Sequence, residues 1–189
     1  EPAQNPALML AAVHLLAQQR GRNVTVLWPY GEALRPLGPW WVQLVGESIG
    51  KLGPRGPVGV SPMAAAGPAD QHSLLQLMRE GPDDKLTVFV GARSTVPAAH
   101  DLRVPSGGET LTPVAGKSLG EILRAEQEAT AFGIAKVGRP VVTITLPDTG
   151  PEAVGAFLLT VEVAVAYWGA LLGINAFDQP GVAFGKQAA

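Results

Sequence analysis

The chain contains no cysteine. Disulfides, thiolate nucleophiles and cysteine-ligated metals are therefore excluded, and a reducing cytoplasm is the compartment this composition suits. Charge is sparse as well. Charged residues make up 16% of the sequence and the formal net charge is -2, so no basic field invites nucleic acid and no acidic tail is present. The three histidines, His14, His72 and His100, stand far apart without ligand spacing, which points to no metal. Neither a G-x-G-x-x-G turn nor a Walker loop occurs, so no nucleotide cofactor is expected. No internal repeat is visible. The first residue is Glu1 rather than methionine, and the expectation is a fragment or a processed product.

What is present is apolar. Of 189 residues, 47% are hydrophobic, enough for one domain with a substantial core. The early run LMLAAVHLLA has no basic flank and holds His14, so it is expected to be a helix rather than a secretory signal. Residues 153–174, AVGAFLLTVEVAVAYWGALLGI, are long enough to be weighed as a membrane span. Glu162 sits near their centre, where a charge costs roughly 2.5–3.5 kcal/mol on insertion. The strand-like PVVTITLP stands immediately before them. A fully buried helix on a sheet or at a subunit interface explains both features, and no membrane association is expected.

Apolar strand-like runs alternate with helical stretches. Strands are expected at NVTVLWPY (23–30), PVGVSPM (57–63, closed by Pro62), DDKLTVFVG (83–91) and PVVTITLP (140–147). Between them lie helices centred on WWVQLVGESIGK (40–51), on ADQHSLLQLMREG (69–81) and on SLGEILRAEQEATAFGIAKVG (118–138). Asp70 is the expected cap of the second, with Leu74, Leu75, Leu77 and Met78 on its apolar face and Gly81 as its stop. Ser118 and Glu121 form a capping box for the third. Residues 92–117 are rich in Pro, Gly and Ser and read as a surface excursion, and 175–189 read as a C-terminal tail. The fold class is α/β: a three-layer sandwich with a mainly parallel sheet flanked by helices. Ligand sites in such sheets are expected at the carboxyl ends of the strands.

Three segments carry candidate chemistry. In WWVQLVGESIGK, Gln43, Glu47 and Lys51 recur every four residues and share a helical face. One reading is a surface Glu47–Lys51 pair worth a few tenths of a kcal/mol. The other makes Glu47 a base, with Gln43 positioning the same ligand. His72 falls in the first turn of its helix, where the dipole disfavours an imidazolium. It is either a local capping residue or a neutral imidazole suited to acid–base work on a sugar hydroxyl. In NAFDQPGVAFGK, Asp178 to Gly181 form a turn and Lys186 follows, which on spacing alone is solvated tail.

In this order, GESIGK, ADQHS and FDQPGV with its closing GK resemble the glucose-6-phosphate isomerase family over essentially the whole chain. The opening NPALML leading to GR and a VTVL strand is similar to the middle of that family's sequence. The resemblance implies a C-terminal sugar-isomerase (SIS) domain from a cytoplasmic homodimer that interconverts glucose 6-phosphate and fructose 6-phosphate without metal or organic cofactor. By motif match it implies that Glu47 moves a proton between C1 and C2 through a cis-enediol. Gln43 and Gln179 resemble substrate contacts, His72 the ring-opening histidine that reaches the partner subunit's site, and Lys186 the lysine that assists ring opening. The chemistry is coherent: proton abstraction beside a carbonyl needs a positioned carboxylate, and ring opening needs a separate donor and acceptor.

Two departures qualify the resemblance. No G-G-R occurs, and Ser73, Ser94, Ser106 and Ser118 form no phosphate loop. The expectation is that the N-terminal half of the family's enzyme is absent and the chain alone is nearly inactive. Ala183 stands where the family has glutamate. The competing reading is a non-catalytic sugar-phosphate-binding module of the same fold.

Overall fold

The computed structural model describes residues 4–94, 102–105 and 113–182. Helix α1 (Pro6–Gln19) opens on Asn5, whose side chain accepts from the Leu8 amide at 3.1 Å, with Pro6 preset for the first turn. Strand β1 (Val24–Pro29) leads through a short 3-10 turn (Glu32–Leu34) to α2 (Leu37–Ile49). Strands β2 (Lys51–Gly53) and β3 (Gly56–Val58) form a small antiparallel hairpin. Then follow β4 (Ser61–Ala64), α3 (Gln71–Glu80), β5 (Lys85–Ala92), α4 (Leu119–Ala135), β6 (Val141–Leu146) and α5 (Pro151–Leu172).

The main sheet has the order β4-β1-β5-β6, and all three pairings are parallel. Alternation along its two central strands sorts side chains onto two faces. Leu27, Leu86, Val88 and Val90 meet α1, α2 and α5 through Leu10, Trp41, Val45, Phe157 and Trp168. Val26, Trp28, Tyr30 and Phe89 meet α3 and α4 through Met78 and Ile134. This is the expected three-layer sandwich. His14 of α1 is buried in the first layer, with Nδ1 donating to the Leu10 carbonyl at 2.9 Å and Nε2 accepting from the Thr25 hydroxyl at 3.0 Å.

Several local expectations are corrected. PVGVSPM is two strands rather than one: Pro57 and Val58 belong to the hairpin, Gly59 turns at φ +142°, and Ser61 onward joins the sheet. Pro62 lies inside β4 rather than closing it, which β4 tolerates as an edge strand. Asp70 makes no side-chain cap on α3. Its carboxylate instead accepts from the Ala66 amide at 2.8 Å and the Ser73 hydroxyl at 2.9 Å. Leu77 of the supposed apolar face is exposed, while Met78 is buried. The Ser118–Glu121 capping box is present as expected.

Helix α5 is not fully buried. It is long and apolar enough to cross a membrane by length and composition. Phe157, Val161, Ala164, Val165 and Trp168 pack inward on α1 and α2, while Leu159, Glu162, Val163, Tyr167 and Leu171 face outward. Glu162 is therefore on the open face and needs no buried partner. The excursion begins after Ala92 and is tied back where Arg103 bridges Ser118 and the Val104 amide donates to the Lys117 carbonyl at 2.9 Å.

Candidate active site

Helix α2 joins two parallel neighbours, β1 and β4, so it runs back along the sheet and ends beside the amino ends of the strands. Its packing on β4 is close. A Cβ on Gly38 would lie 3.0 Å from the Ala64 Cβ, and one on Gly59 would lie 3.0 Å from the Gly50 Cα. Trp41, Val45 and Ile49 form its buried stripe, which turns Gln43 and Glu47 to the exposed face. The helix stops at Gly50. Lys51 consequently leaves on β2 and does not stack above Glu47, so the expected shared face holds for Gln43 and Glu47 and fails for Lys51.

Helix α5 also returns to this end of the sheet, and Gly173 closes it in the left-handed region at φ +71°. The chain then folds over the last turn, where a Cβ on Gly169 would meet the Ala176 Cβ at 2.9 Å. The Asn175 side chain accepts from the Phe177 amide and donates to Asp178 Oδ2, each at 3.0 Å. That local turn presents Asp178 to Lys51, whose Nζ donates to the Asp178 carbonyl and, at 3.2 Å, to Oδ1. Residues 175–182 are thus an anchored turn rather than a free tail.

These two helix ends assemble one carboxylate. Gln179 Nε2 donates to Glu47 Oε2 at 2.5 Å, and Gln43 Nε2 donates to Oε1 at 3.4 Å. Each oxygen is oriented by a neutral amide, and Glu47 keeps an open outward side. Uncharged donors fix direction without an ion pair, leaving a positioned carboxylate able to take a proton from a group placed over it. Sequence reasoning identified Gln43, Glu47 and Gln179 but missed Lys51, Asp178 and Asn175 as their support. The FDQ run followed by a turn was the available signal.

The remaining candidates lie elsewhere. His72 is the exposed second residue of α3, which starts from the carboxyl end of β4. This chain therefore does not bring His72 to Glu47. Lys186 and Ala183 lie outside the described residues. The expected carboxyl-end location is also corrected for the Glu47 cluster. Those ends border a separate hollow of about 1180 Å³, flanked by Tyr30, Gly67, Gly91 and Arg124. Among the described residues no group of three His, Asp or Glu could hold a metal ion.

A family model described as phosphoglucose isomerase matches residues 1–189. The chain belongs to the phosphoglucose isomerase family. It is 43% identical to a glucose-6-phosphate isomerase of Carboxydothermus hydrogenoformans, aligning 98% of this chain with 41% of that one. It is 40% identical to a glucose-6-phosphate isomerase of Thermus thermophilus, over 95% of this chain and 44% of the relative. A crystal structure of a hypothetical protein, also from Thermus thermophilus, superposes with TM-score 0.89 at 38% identity, covering 96% of this chain and 43% of that one. A glucose-6-phosphate isomerase structure from Chlamydia trachomatis shares the fold at TM-score 0.82 and 24% identity, over 96% of this chain and 37% of that one. The chain of this family member thus spans about two fifths of the length of the relatives it matches.

Proposed function

We propose that this chain is the base-bearing part of an enzyme that interconverts glucose 6-phosphate and fructose 6-phosphate. Glu47 takes the C2 proton of the open-chain aldose to form a cis-enediol and returns it to C1, as a hydroxyl proton passes from O2 to O1. The observation that carries this reading is the Glu47 carboxylate held between Gln43 and Gln179. Two segments 132 residues apart converge on it, and both belong to the runs that carry the resemblance in the sequence. His72 opens the sugar ring from the opposite end of the domain, acting in the site of a second subunit of a cytoplasmic homodimer, and its exposure supports that assignment. Lys186 assists the same step. The anionic end of the substrate is held by the part of the enzyme for which this chain has no counterpart.

The test joins this chain to the portion of the Carboxydothermus hydrogenoformans relative that it does not match. Isomerase turnover is read through coupled oxidation of glucose 6-phosphate. The chain alone is expected to be nearly inactive, because positioning and electrostatic stabilisation supply orders of magnitude in rate. In the active chimaera, Glu47→Gln is expected to lower kcat by about 10²–10⁴-fold, the usual range for losing a general base. A Glu47→Gln chimaera that turns over like its parent would sink the assignment.

A further inference from the structure

We propose that Lys51 and Asp178 are positioning residues, whose ion pair seats the Asn175–Gln179 turn so that Gln179 holds the Glu47 carboxylate in one orientation. The inference rests on reading Glu47 as the base, and it begins from an asymmetry in burial. The Lys51 side chain is only 6% exposed while that of Asp178 is 52% exposed. A lysine head is seldom buried without a partner, and here both acceptors belong to one residue. The ammonium grips the Asp178 main-chain carbonyl as well as Oδ1. Holding a carbonyl fixes the path of the backbone, and the next residue is Gln179. A single peptide link therefore separates the anchored oxygen from the residue whose amide meets Glu47 at 2.5 Å.

The other end of the clamp is equally short. Lys51 follows the end of α2 by two residues, and Glu47 lies in the last turn of that helix. The base and the anchor of its partner turn thus share one rigid helix end. Asn175 holds Asp178 Oδ2 from the far side, so the carboxylate is gripped on both oxygens. The same arrangement keeps the ammonium away from Glu47. Had α2 continued one more turn, Lys51 would have stood one turn from Glu47 on its face and competed for its oxygens. The break at Gly50 sends the cation to Asp178 and leaves Glu47 with neutral donors.

The test uses the chain itself and the active chimaera. In the parent chain, the Gln179 side-chain amide protons are expected to show nuclear Overhauser contacts to the Gln43 and Glu47 side chains. Lys51→Met should abolish these contacts with the sheet resonances unchanged, and Lys51→Arg should restore them. Asp178→Asn, which retains the carbonyl acceptor, should weaken them without unfolding the chain, and it decides the matter if Lys51→Met does not fold. In the chimaera, Lys51→Met should lower kcat by about 10²-fold, the loss expected for roughly 1 Å of misplacement. KM should stay within about a factor of three, since binding is not what is lost. Contacts that persist in Lys51→Met, or that vanish with kcat unchanged, overturn the proposal. If Glu47 proves not to be the base, the resonance measurement still decides whether Lys51 seats the turn.

Discussion

Lowering the pH should destabilise this domain through His14, among other groups. Its imidazole is sealed between α1, β1 and two indoles, with ring centroids 4.6 Å from Trp168 and 5.5 Å from Trp41. Burial pushes it from 6.5 down to about 4, against the opposing effect of the Leu10 carbonyl. The folded state therefore binds fewer protons than the unfolded chain between those two values. Stability contributed by the neutral ring is fully present above pH 6.5 and is lost as the pH falls towards 4. At about 1.36 kcal/mol per pH unit, that interval is worth roughly 3 kcal/mol, a large part of the roughly 5–15 kcal/mol that typically holds a domain together. Urea unfolding followed by tryptophan emission at pH 7, 6, 5 and 4.5 would measure it. Replacing His14 by Gln removes the titration and leaves exposed carboxylates to contribute equally in both proteins. The parent should lose about 2–3 kcal/mol more than His14→Gln between pH 7 and 4.5. Equal losses in the two proteins would refute the reasoning.

Two stability predictions follow from close packing and from a helix cap. A Cβ on Gly91 would fall 2.0 Å from Gln127 Oε1, so Gly91→Ala should destabilise by about 1–3 kcal/mol in denaturant titration. The penalty should shrink in a Gln127→Ala background, because the clash and its partner form one coupled pair. Ser118→Ala removes the hydroxyl that accepts from the Glu121 amide at 3.1 Å, and should cost about 1 kcal/mol by the same titration. Glu121→Gln should be much milder, since glutamine can also reach back to the cap; equal losses from the two changes would count against the box.

The layers were legible because their signals are local. PVVTITLP alternates and is bounded by prolines, and Ser118 stands three residues before Glu121, so strand and cap follow from short-range rules. Gln43 and Glu47 share a face for the same reason. What escaped depended on partners distant in sequence. PVGVSPM looks like one run until Gly59 has to pass Gly50 at close range, which only the packed helix imposes. The four-residue spacing makes Lys51 the next rung of the α2 face, yet the helix stops at Gly50 and the lysine meets a residue 127 positions away. Asp70 has the composition of a cap, but the turn at Ala66 claims its carboxylate first.

The position of Glu47 is the least expected feature and also the most consequential. Ligands in open parallel sheets usually sit at the carboxyl ends of strands, where helix N-termini attract anions. Here α2 and α5 both return along the sheet, so two helix C-termini converge on the Glu47 cluster. Each brings partial negative charge, about half an elementary charge per terminus. That environment favours the Lys51 ammonium, which helps explain how it is held almost entirely out of water. It disfavours a second anion, and the carboxylate of Glu47 is already there. On the proposed reading, the sugar carbons can lie over Glu47 while the phosphate must be held farther from these two helix C-termini. A chain spanning about two fifths of its relatives would then own the base but not the anchor. On that reading, the low activity expected of the chain alone would follow from which end of the sheet the base occupies.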